Sequence, residues 1–226
     1  MKEVIILGCG PSRVECLYHC ETWGVNGCYT FANKLDKLFM TDGPDVMAED
    51  VARRHDIAKY GCVLVLAHRF PEVVPAFERA GIPIEVYPID KIVDKFKTRF
   101  FSNSIAYMLA YALYYDYEKI WFYGIDMMSN TTYIQEKGGV EFWMGVACGM
   151  GVEVVNTKGS ATGKTWDGKM YGWWGQKQEE KLKERLLAPW EIIKAPAPIR
   201  PPEEEWVKVD DENWLKIPYM GTKVGK

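Results

Sequence analysis

The chain has 226 residues, 48% of them hydrophobic, and a formal net charge of −3 at pH 7. This length and composition fit one globular domain, alone or with an appendage, built around a substantial core. The weakly acidic charge does not indicate a nucleic-acid-binding surface. No apolar run is long enough to span a membrane.

The chain contains six cysteines, and their spacing matches no disulfide framework. There is also no charged leader followed by a cleavable apolar stretch, so we expect a cytoplasmic protein with free thiols. A zinc site built from Cys16, His19, Cys20 and Cys28 would lack the second spaced pair that such sites usually have. We therefore predict small buried side chains here and no metal.

Short apolar strands alternate with helical patterns along most of the chain. The predicted strands are 4–7, 23–26, 37–41, 62–67, 84–87, 119–123 and 152–156. The predicted helices are 44–59, 71–80, 102–116 and 139–150. Several strands are apolar without alternation, which is typical of strands covered on both faces. The pattern predicts an α/β fold with a mainly parallel, twisted sheet of about six or seven strands and helices on both faces.

The pattern changes beyond the last predicted strand. We predict a core over residues 1–157, a lid-like loop and C-terminal helix over 158–194, and a Pro-rich linker and tail over 195–226. The helix is expected at 176–187, where charged residues predominate, and the proline-rich stretch is expected to be stiff and extended. The tail either packs on the domain or on an oligomer, or it is a disordered end, and its tryptophans favour docking on a neighbouring subunit of a homo-oligomer.

Small and polar residues follow the predicted strands where a parallel α/β sheet binds its ligands, outside the carboxyl ends of the strands. The long helix also begins there, with backbone N–H groups and a dipole that favour an anion. The predicted binding residues are Gly8, Cys9, Gly10, Pro11, Ser12, Asn26, Asn103, Ser104, Gly124 and Asp126.

The first of these loops suits a nucleotide or nucleotide-sugar pocket. We expect Gly8 and Gly10 to let the backbone approach a ligand, and Ser12 to cap the following turn or bind a phosphate oxygen. The alternative is that the loop is merely a tight strand-to-helix turn. It is not the dinucleotide fingerprint, because Arg13 stands where that motif needs glycine. Residues 158–165 are not a P-loop, because their glycines are one residue too close together.

Four segments carry a resemblance to a known group: residues 4–12, 23–26, 104–108 and 118–126. They resemble the bacterial sialyltransferases of lipooligosaccharide synthesis. They also resemble the wider Rossmann-like group that contains motility accessory factors, archaeal 6-hydroxymethylpterin diphosphokinases and uncharacterised phage proteins. The resemblance spans about residues 3–157 and implies a Rossmann-like domain. It also implies that a cytidine nucleotide is held by Gly8, Gly10, Ser12, Asn26, Ser104, Gly124 and Asp126.

The resemblance places Tyr133 near the leaving phosphate, where its hydroxyl would stabilise the departing charge. Two positions depart from the family. Cys9 replaces an asparagine, which removes a polar contact, and no histidine follows Asp126 to serve as the family's base. The candidate bases are then Asp42, Glu136 and Glu141, unless the acceptor is nucleophilic enough without one.

Three functions remain open from the sequence. The first is a glycosyltransferase that uses a small-molecule nucleotide-sugar donor, CMP-linked by the resemblance, with no required Mg²⁺. Its acceptor is open: a saccharide, a lipid-linked saccharide, a protein or, less favoured by the charge, a modified base in DNA. The second is an ATP- and Mg²⁺-dependent diphosphokinase of the pterin type, and the third is a non-catalytic nucleotide-binding protein.

Two further features have both a functional and a structural interpretation. Asp42 and Asp45 are candidates for a metal-carboxylate site, but we favour a cap on the following helix, before Pro44. Tyr171, Trp173 and Trp174 suit stacking on a sugar or base, but we slightly favour packing. Lys164 and Lys169 are candidate phosphate contacts from the lid-like loop.

Overall fold

The computed structural model describes residues 1–127, 131–158, 160–163, 204–208 and 214–218. For residues 131–134 and the two late segments it describes the backbone alone. The chain divides into two units, Met1–Gly168 and Lys169–Lys226. The predicted helix at 176–187 and the proline-rich stretch at 195–202 lie outside the described residues.

Seven parallel strands form the sheet of the first unit, in the order β5-β4-β3-β2-β1-β6-β7. They are β1 (Glu3–Leu7), β2 (Glu21–Val25), β3 (Lys37–Met40), β4 (Val63–Leu66), β5 (Ile84–Val86), β6 (Lys119–Tyr123) and β7 (Glu153–Val155). Leu7 at the end of β1 pairs with Gly24 of β2 and Tyr123 of β6. The carboxyl ends of these three strands therefore lie level at one edge of the sheet.

Both faces of β1, an inner strand of the sheet, are covered. Val4, Ile5, Ile6 and Leu7 are all 0% exposed, although successive side chains of a strand point to opposite faces. Burial on both faces is what a parallel sheet covered by helices produces. The predicted α/β fold, its parallel sheet and its strand number are confirmed.

Six α-helices are described in the first unit: α1 (Ala48–Ala52), α2 (Arg54–Ala58), α3 (Val74–Arg79), α4 (Ile89–Phe96), α5 (Ser104–Tyr114) and α6 (Thr131–Gly149). Two 3-10 helices, Pro11–Glu15 and Asn26–Thr30, follow β1 and β2. Helix α5 contacts β1 and β3 on the sheet and packs beside α4 and α6. Its side chains are apolar on almost every face of the helix, which explains why eight of its residues are buried.

The helices differ from the predicted ones at three places. The single helix expected at 44–59 is two short helices that meet at Arg53. Helix α4 was not predicted, although its apolar residues Ile89, Ile92, Val93 and Phe96 have helical spacing. Helix α6 begins at Thr131 rather than at Gly139, because Gly138 and Gly139 lie inside it instead of at its start.

The second unit contains an antiparallel hairpin of β8 (Glu204–Lys208) and β9 (Trp214–Pro218). These strands lie within the stretch predicted as a linker and tail, where no strand was expected. Across the parts of the chain that the structure describes, no helix combines the length and apolar character needed to cross a membrane.

Candidate functional site

The strand order creates a crevice at the carboxyl end of the sheet. After β1 the chain builds outward through β2 to β5, then returns to place β6 on the other side of β1. Neighbouring connections therefore leave β1 and β6 in different directions, which is the topological switch point where α/β sheets bind ligands. A cleft of about 850 Å³ lies there.

All ten predicted binding residues line this cleft, so the structure brings them together: Gly8, Cys9, Gly10, Pro11, Ser12, Asn26, Asn103, Ser104, Gly124 and Asp126. Their role in binding stays a prediction. Six further lining residues were not among the predicted binding residues: Glu15, Val25, Ile105, Ile125, Met127 and Glu136. Five of them lie close in sequence to predicted binding residues, so the same strand-end and helix-start positions could have predicted them. Glu136 was weighed only as a base, because α6 was expected to begin after it.

Three glycines join the loop after β1 to the loop after β6. The Gly8 amide donates to the Tyr123 carbonyl, and the Gly10 amide donates to the Gly124 carbonyl, each at 2.8 Å. A Cβ on Gly8 would meet the Gly124 carbonyl, and one on Gly10 would meet the Asp126 carboxylate. The glycines therefore permit a close approach between two loops of the protein. This differs from the predicted reason, an approach of backbone to ligand.

Asp126 and Ser12 connect these loops through their side chains. The Ser12 amide donates to Asp126 Oδ2 at 2.9 Å, and the Gly124 amide donates to Ser12 Oγ at 2.9 Å. Thr157 Oγ1 also donates to Ser12 Oγ, at 3.1 Å. Both residues are buried, Ser12 at 6% and Asp126 at 5% exposed. Ser12 therefore fixes the turn from within the protein, and its hydroxyl oxygen already has two donors.

The segment after β7 is hydrogen-bonded to the backbone of the loop that carries Asp126. Ser160 Oγ donates to the Ile125 carbonyl at 2.7 Å, and the Ala161 amide donates to the Asp126 carbonyl at 2.7 Å. Ser160 and Thr162 are buried and hydrogen-bonded to each other. Ser160 and Thr162 belong to residues 158–165, the stretch with P-loop-like glycines. Where the structure describes this stretch, it supports the loop after β6. No sequence motif predicts this contact, because it joins segments that are brought together only by the fold.

Two buried oxygen atoms of cleft residues have no hydrogen-bond partner within the part of the chain that the structure describes: Asn26 Oδ1 and Asp126 Oδ1. A buried acceptor without a partner is costly, about 1–3 kcal/mol, and such atoms are rare in folded proteins. Asn26 also has φ +46°, a left-handed conformation that asparagine tolerates better than most residues. The local backbone thus accounts for asparagine at position 26, while its free oxygen points to a ligand that offers N–H or O–H groups.

The beginning of α5 forms another wall of the cleft. Asn103 is its N-cap, and its Oδ1 accepts from the Ala106 amide at 3.0 Å. Ser104 Oγ lies 2.7 Å from Thr41 Oγ1. The first amides of a helix have no acceptor within the helix. Ser104 and Ile105 belong to this turn and line the cleft, so the positive end of the α5 dipole is directed at it.

A second cavity of about 320 Å³ continues the cleft past the start of α5. It shares Asn26, Asn103, Ser104 and Glu136 with the larger cavity, and it adds Asp42, Thr41, Phe101, Ser102 and Tyr107. Asp42 therefore lines the smaller cavity, and Glu136 lines both. Asp42 does not cap a helix as expected, because the N-cap of α1 is Met47, without a side-chain cap.

The other two predicted catalytic residues have different outcomes. Glu141 lines neither cavity, because its Oε1 accepts from the Gly163 amide at 3.0 Å and pairs with Lys137 at 3.3 Å. Tyr133 lies in the first turn of α6, but its side chain is outside the described residues. The side chains of Lys164 and Lys169, and of Tyr171, Trp173 and Trp174, are also outside them.

The cleft is acidic. Glu15, Asp42, Asp126 and Glu136 line the two cavities, and no lysine, arginine or histidine of the described chain does. These carboxylates do not form a preassembled metal cluster. Within the described ranges, the grouped metal-ligating atoms are those of Glu3, His19 and Cys20, within 4.8 Å of one another and outside the cleft lining. The set of Cys16, His19, Cys20 and Cys28 does not form, because Cys28 is buried against Cys9.

Cys9 is an exposed thiol at the mouth of the cleft, 3.7 Å from the sulfur of buried Cys28. The Cys28 thiol and the nearby Arg13 guanidinium lower the pKa of Cys9 to about 7, against the opposing effect of burial. The pKa of Cys28 is raised by the hydrogen bond to Cys9 and by burial. Cys28 Sγ also lies 3.2 Å from the Leu7 carbonyl, so its single hydrogen has two acceptors within reach.

No protein-family model matches the sequence, and no curated protein matches it significantly. Among solved structures, the chain is similar to the sialyltransferase CstII from Campylobacter jejuni in complex with cytidine-5'-monophosphate. That similarity has a TM-score of 0.48 and 17% identity, and it covers 75% of this chain and 88% of that chain. A CstII complex with trisaccharide acceptor and CMP has a TM-score of 0.47 and 15% identity, over 69% of this chain and 80% of that chain. Similarity at this level assigns neither a family nor a reaction to the chain.

Proposed function

We propose that the chain is a glycosyltransferase that binds a nucleotide-activated sugar in the cleft between β1 and β6. The observation that carries the proposal is the pair of buried, unpartnered acceptors, Asn26 Oδ1 and Asp126 Oδ1, at the topological switch point of the sheet. The cleft volume of about 850 Å³ suits a ligand of nucleotide size.

The chemistry of the two acceptors matches the neutral part of a nucleotide. Ribose hydroxyls and the amino group of a base are hydrogen-bond donors, and they would satisfy the carboxylate of Asp126 and the amide oxygen of Asn26. The phosphate would lie against the first turn of α5, at Ser104 and Ile105, where backbone amides and the helix dipole favour an anion. The resemblance of the sequence motifs to lipooligosaccharide sialyltransferases supports cytidine monophosphate as the nucleotide.

The smaller cavity supplies space for the reacting groups. Glu136 lines both cavities, so it stands between the proposed nucleotide region and the space beside Asp42. We assign it the role of general base, which takes the acceptor proton as the acceptor oxygen attacks the anomeric carbon and the nucleotide leaves. Glu136 replaces Glu141 in this role, because Glu141 is engaged elsewhere. Tyr133 keeps its proposed role beside the leaving phosphate, and a saccharide is the proposed acceptor.

The test is a calorimetric and thermal-shift panel of CMP, CDP, UDP, GDP, ADP and ATP, each with and without Mg²⁺. We expect CMP to bind and stabilise the full chain without metal. Asn26→Gly removes the free oxygen and keeps the left-handed backbone, so it should weaken CMP binding by about tenfold with little loss of stability. Unchanged affinity in that variant would mean that the nucleotide does not bind at this site.

The acidic lining favours a second candidate, the Mg²⁺- and ATP-dependent diphosphokinase. Four carboxylates beside a polyphosphate repel it unless a divalent cation lies between them, and none of the described basic residues lines the cleft. The same panel separates the two candidates. Stabilisation only by ATP with Mg²⁺, abolished by Asp42→Asn, would support the diphosphokinase over the glycosyltransferase.

A further inference from the structure

Two cysteines from consecutive strand-end loops meet at the edge of the cleft. Cys9 follows β1, and Cys28 lies in the 3-10 helix Asn26–Thr30 that follows β2. Their sulfur atoms are 3.7 Å apart. A disulfide needs about 2.05 Å between the sulfurs, so the two sulfurs must approach each other by roughly 1.7 Å. Both cysteines lie outside the strands, so this approach involves the loops and not the sheet.

The two thiols are placed for different parts in such a reaction. Cys9 is exposed and lines the cleft, whereas Cys28 is 0% exposed and its sulfur lies next to that of Cys9. The guanidinium of Arg13 lies beside the Cys9 loop, where its Nη1 donates to the Cys9 carbonyl at 2.9 Å. A positive charge next to a thiol favours its thiolate, which is the form that reacts with oxidants. Cys9 thus has the character of the thiol that reacts with an oxidant first, and Cys28 that of the thiol that resolves the oxidised sulfur.

We propose that Cys9 and Cys28 are a peroxide-sensitive thiol pair whose oxidation closes a disulfide across the mouth of the cleft. The Cys9 thiolate attacks one oxygen of hydrogen peroxide, which gives Cys9 sulfenic acid and hydroxide. The Cys28 thiol then attacks the Cys9 sulfur and releases water, with its proton taken up by the leaving oxygen. The two thiols lose two electrons in total and the peroxide gains them. A dithiol such as dithiothreitol reverses the oxidation.

The disulfide changes the cleft because Cys9 is part of its lining. It ties the loop after β1 to the residues that follow Asn26, and it moves the Cys9 sulfur toward Cys28. In the reduced chain the Cys9 sulfur lies 3.9 Å from the Val25 carbonyl, and Val25 also lines the cleft. Loss of ligand binding on oxidation rests on the proposed nucleotide site. Formation of the disulfide does not, so the two can be tested separately.

The test treats the full chain with hydrogen peroxide, digests it with trypsin and maps linked peptides by mass spectrometry. Trypsin cleaves after Arg13, so Cys9 and Cys28 fall on different peptides, and fragmentation distinguishes Cys28 from Cys16 and Cys20. We expect one dominant link, Cys9 to Cys28, which is absent from Cys9→Ser and unchanged in Cys148→Ser, an exposed cysteine elsewhere. In Cys28→Ala we expect Cys9 to persist as a sulfenic acid that dimedone traps.

Persistent sulfenic acid at Cys9 of the unmutated chain, or a dominant link between other cysteines, would overturn the proposal. The second readout is CMP affinity by calorimetry. We expect oxidation of the unmutated chain to lower it at least tenfold, with recovery in dithiothreitol, and no peroxide effect in Cys9→Ser. If the link forms but the reduced chain binds no nucleotide, the thiol pair stands and the proposed function fails.

Discussion

Asp126 has two carboxylate oxygens in different situations. Oδ2 accepts from the Ser12 amide at 2.9 Å, and this bond helps to hold the loop after β1. Oδ1 is buried and accepts no hydrogen bond from the residues that the structure describes. The first oxygen serves the fold and the second is available to a ligand, so a substitution can separate the two roles.

Asp126→Asn is the substitution that separates them. Its side-chain oxygen can still accept from the Ser12 amide, while its NH₂ group replaces the free acceptor with a donor. We expect CMP affinity to fall at least tenfold, because hydrogen bonds to charged groups contribute about 1.5–3 kcal/mol, with little change in the free energy of unfolding. Asp116→Asn is the control, since Asp116 is an exposed residue paired with Lys95. Calorimetry and urea denaturation of both variants check the result, and equal affinity in the two would remove Asp126 from the site.

The pKa of Cys9 predicts which thiol reacts first. Cys28 and Arg13 lower it to about 7, so the thiolate fraction of Cys9 rises as pH increases through neutrality. Burial and the charge of Glu3 raise the pKa of Cys20 to about 11, so Cys20 stays protonated over the same range. We expect iodoacetamide to label Cys9 with a midpoint near neutral pH and Cys20 only in alkali. Peptide mass spectrometry after timed labelling measures both, and coincident pH profiles would contradict the prediction.

At the scale of the elements, the contact between the loops after β1 and β6 depends on the absence of side chains. A methyl group on Gly10 would overlap with the Asp126 carboxylate, and it would lie 2.7 Å from the Gly124 carbonyl oxygen. Neither is the flexible end of a long side chain, so one loop must move. We expect Gly10→Ala to lower the free energy of unfolding by about 1–3 kcal/mol, as measured by urea denaturation.

Gly145→Ala is the matched control for this substitution. Gly145 is exposed within α6, and a Cβ there meets no atom within 4 Å. Alanine stabilises a helix interior relative to glycine, so this variant should gain about 0.5–1 kcal/mol. If both variants lost the same stability, crowding between the two loops would not be the cause.

The elements also show what the sequence can predict. Short apolar runs identified all seven strands of the large sheet, and in inner strands such as β1 and β4 burial on both faces makes these runs continuous. The predicted strand ends in turn identified most residues of the cleft lining, because the carboxyl ends of parallel strands meet at one edge of the sheet. Helix α6 was placed too late, since the close approach of Ser102 that requires Gly139 is visible only in three dimensions. The hydrogen bond from Ser160 to Ile125 was missed for the same reason.

At the scale of the whole molecule, the described residues give the cleft an acidic lining, although we propose that it binds an anionic nucleotide. Carboxylates and phosphate repel each other, and salt screens this repulsion with a Debye length of about 10 Å at 0.1 M. We therefore expect CMP affinity to rise with NaCl concentration in the absence of Mg²⁺. Cytidine, which has no phosphate, should bind with a salt-independent affinity. Calorimetry across a salt series tests this, and CMP affinity that falls with salt would show that basic groups dominate the phosphate contact.

The contact between Gly8, Gly10 and Gly124 has a consequence for biosynthesis. It joins residues more than a hundred positions apart, so the loop that appears first from the ribosome waits for almost the last strand of the sheet before it is fixed. A nascent chain that has exposed β1 to β5 has no second wall for its cleft. The proposed ligand binding is therefore acquired late and abruptly during synthesis, once β6 and Asp126 have emerged. A truncated product of translation that ends before Lys119 would carry the loop after β1 without a complete cleft.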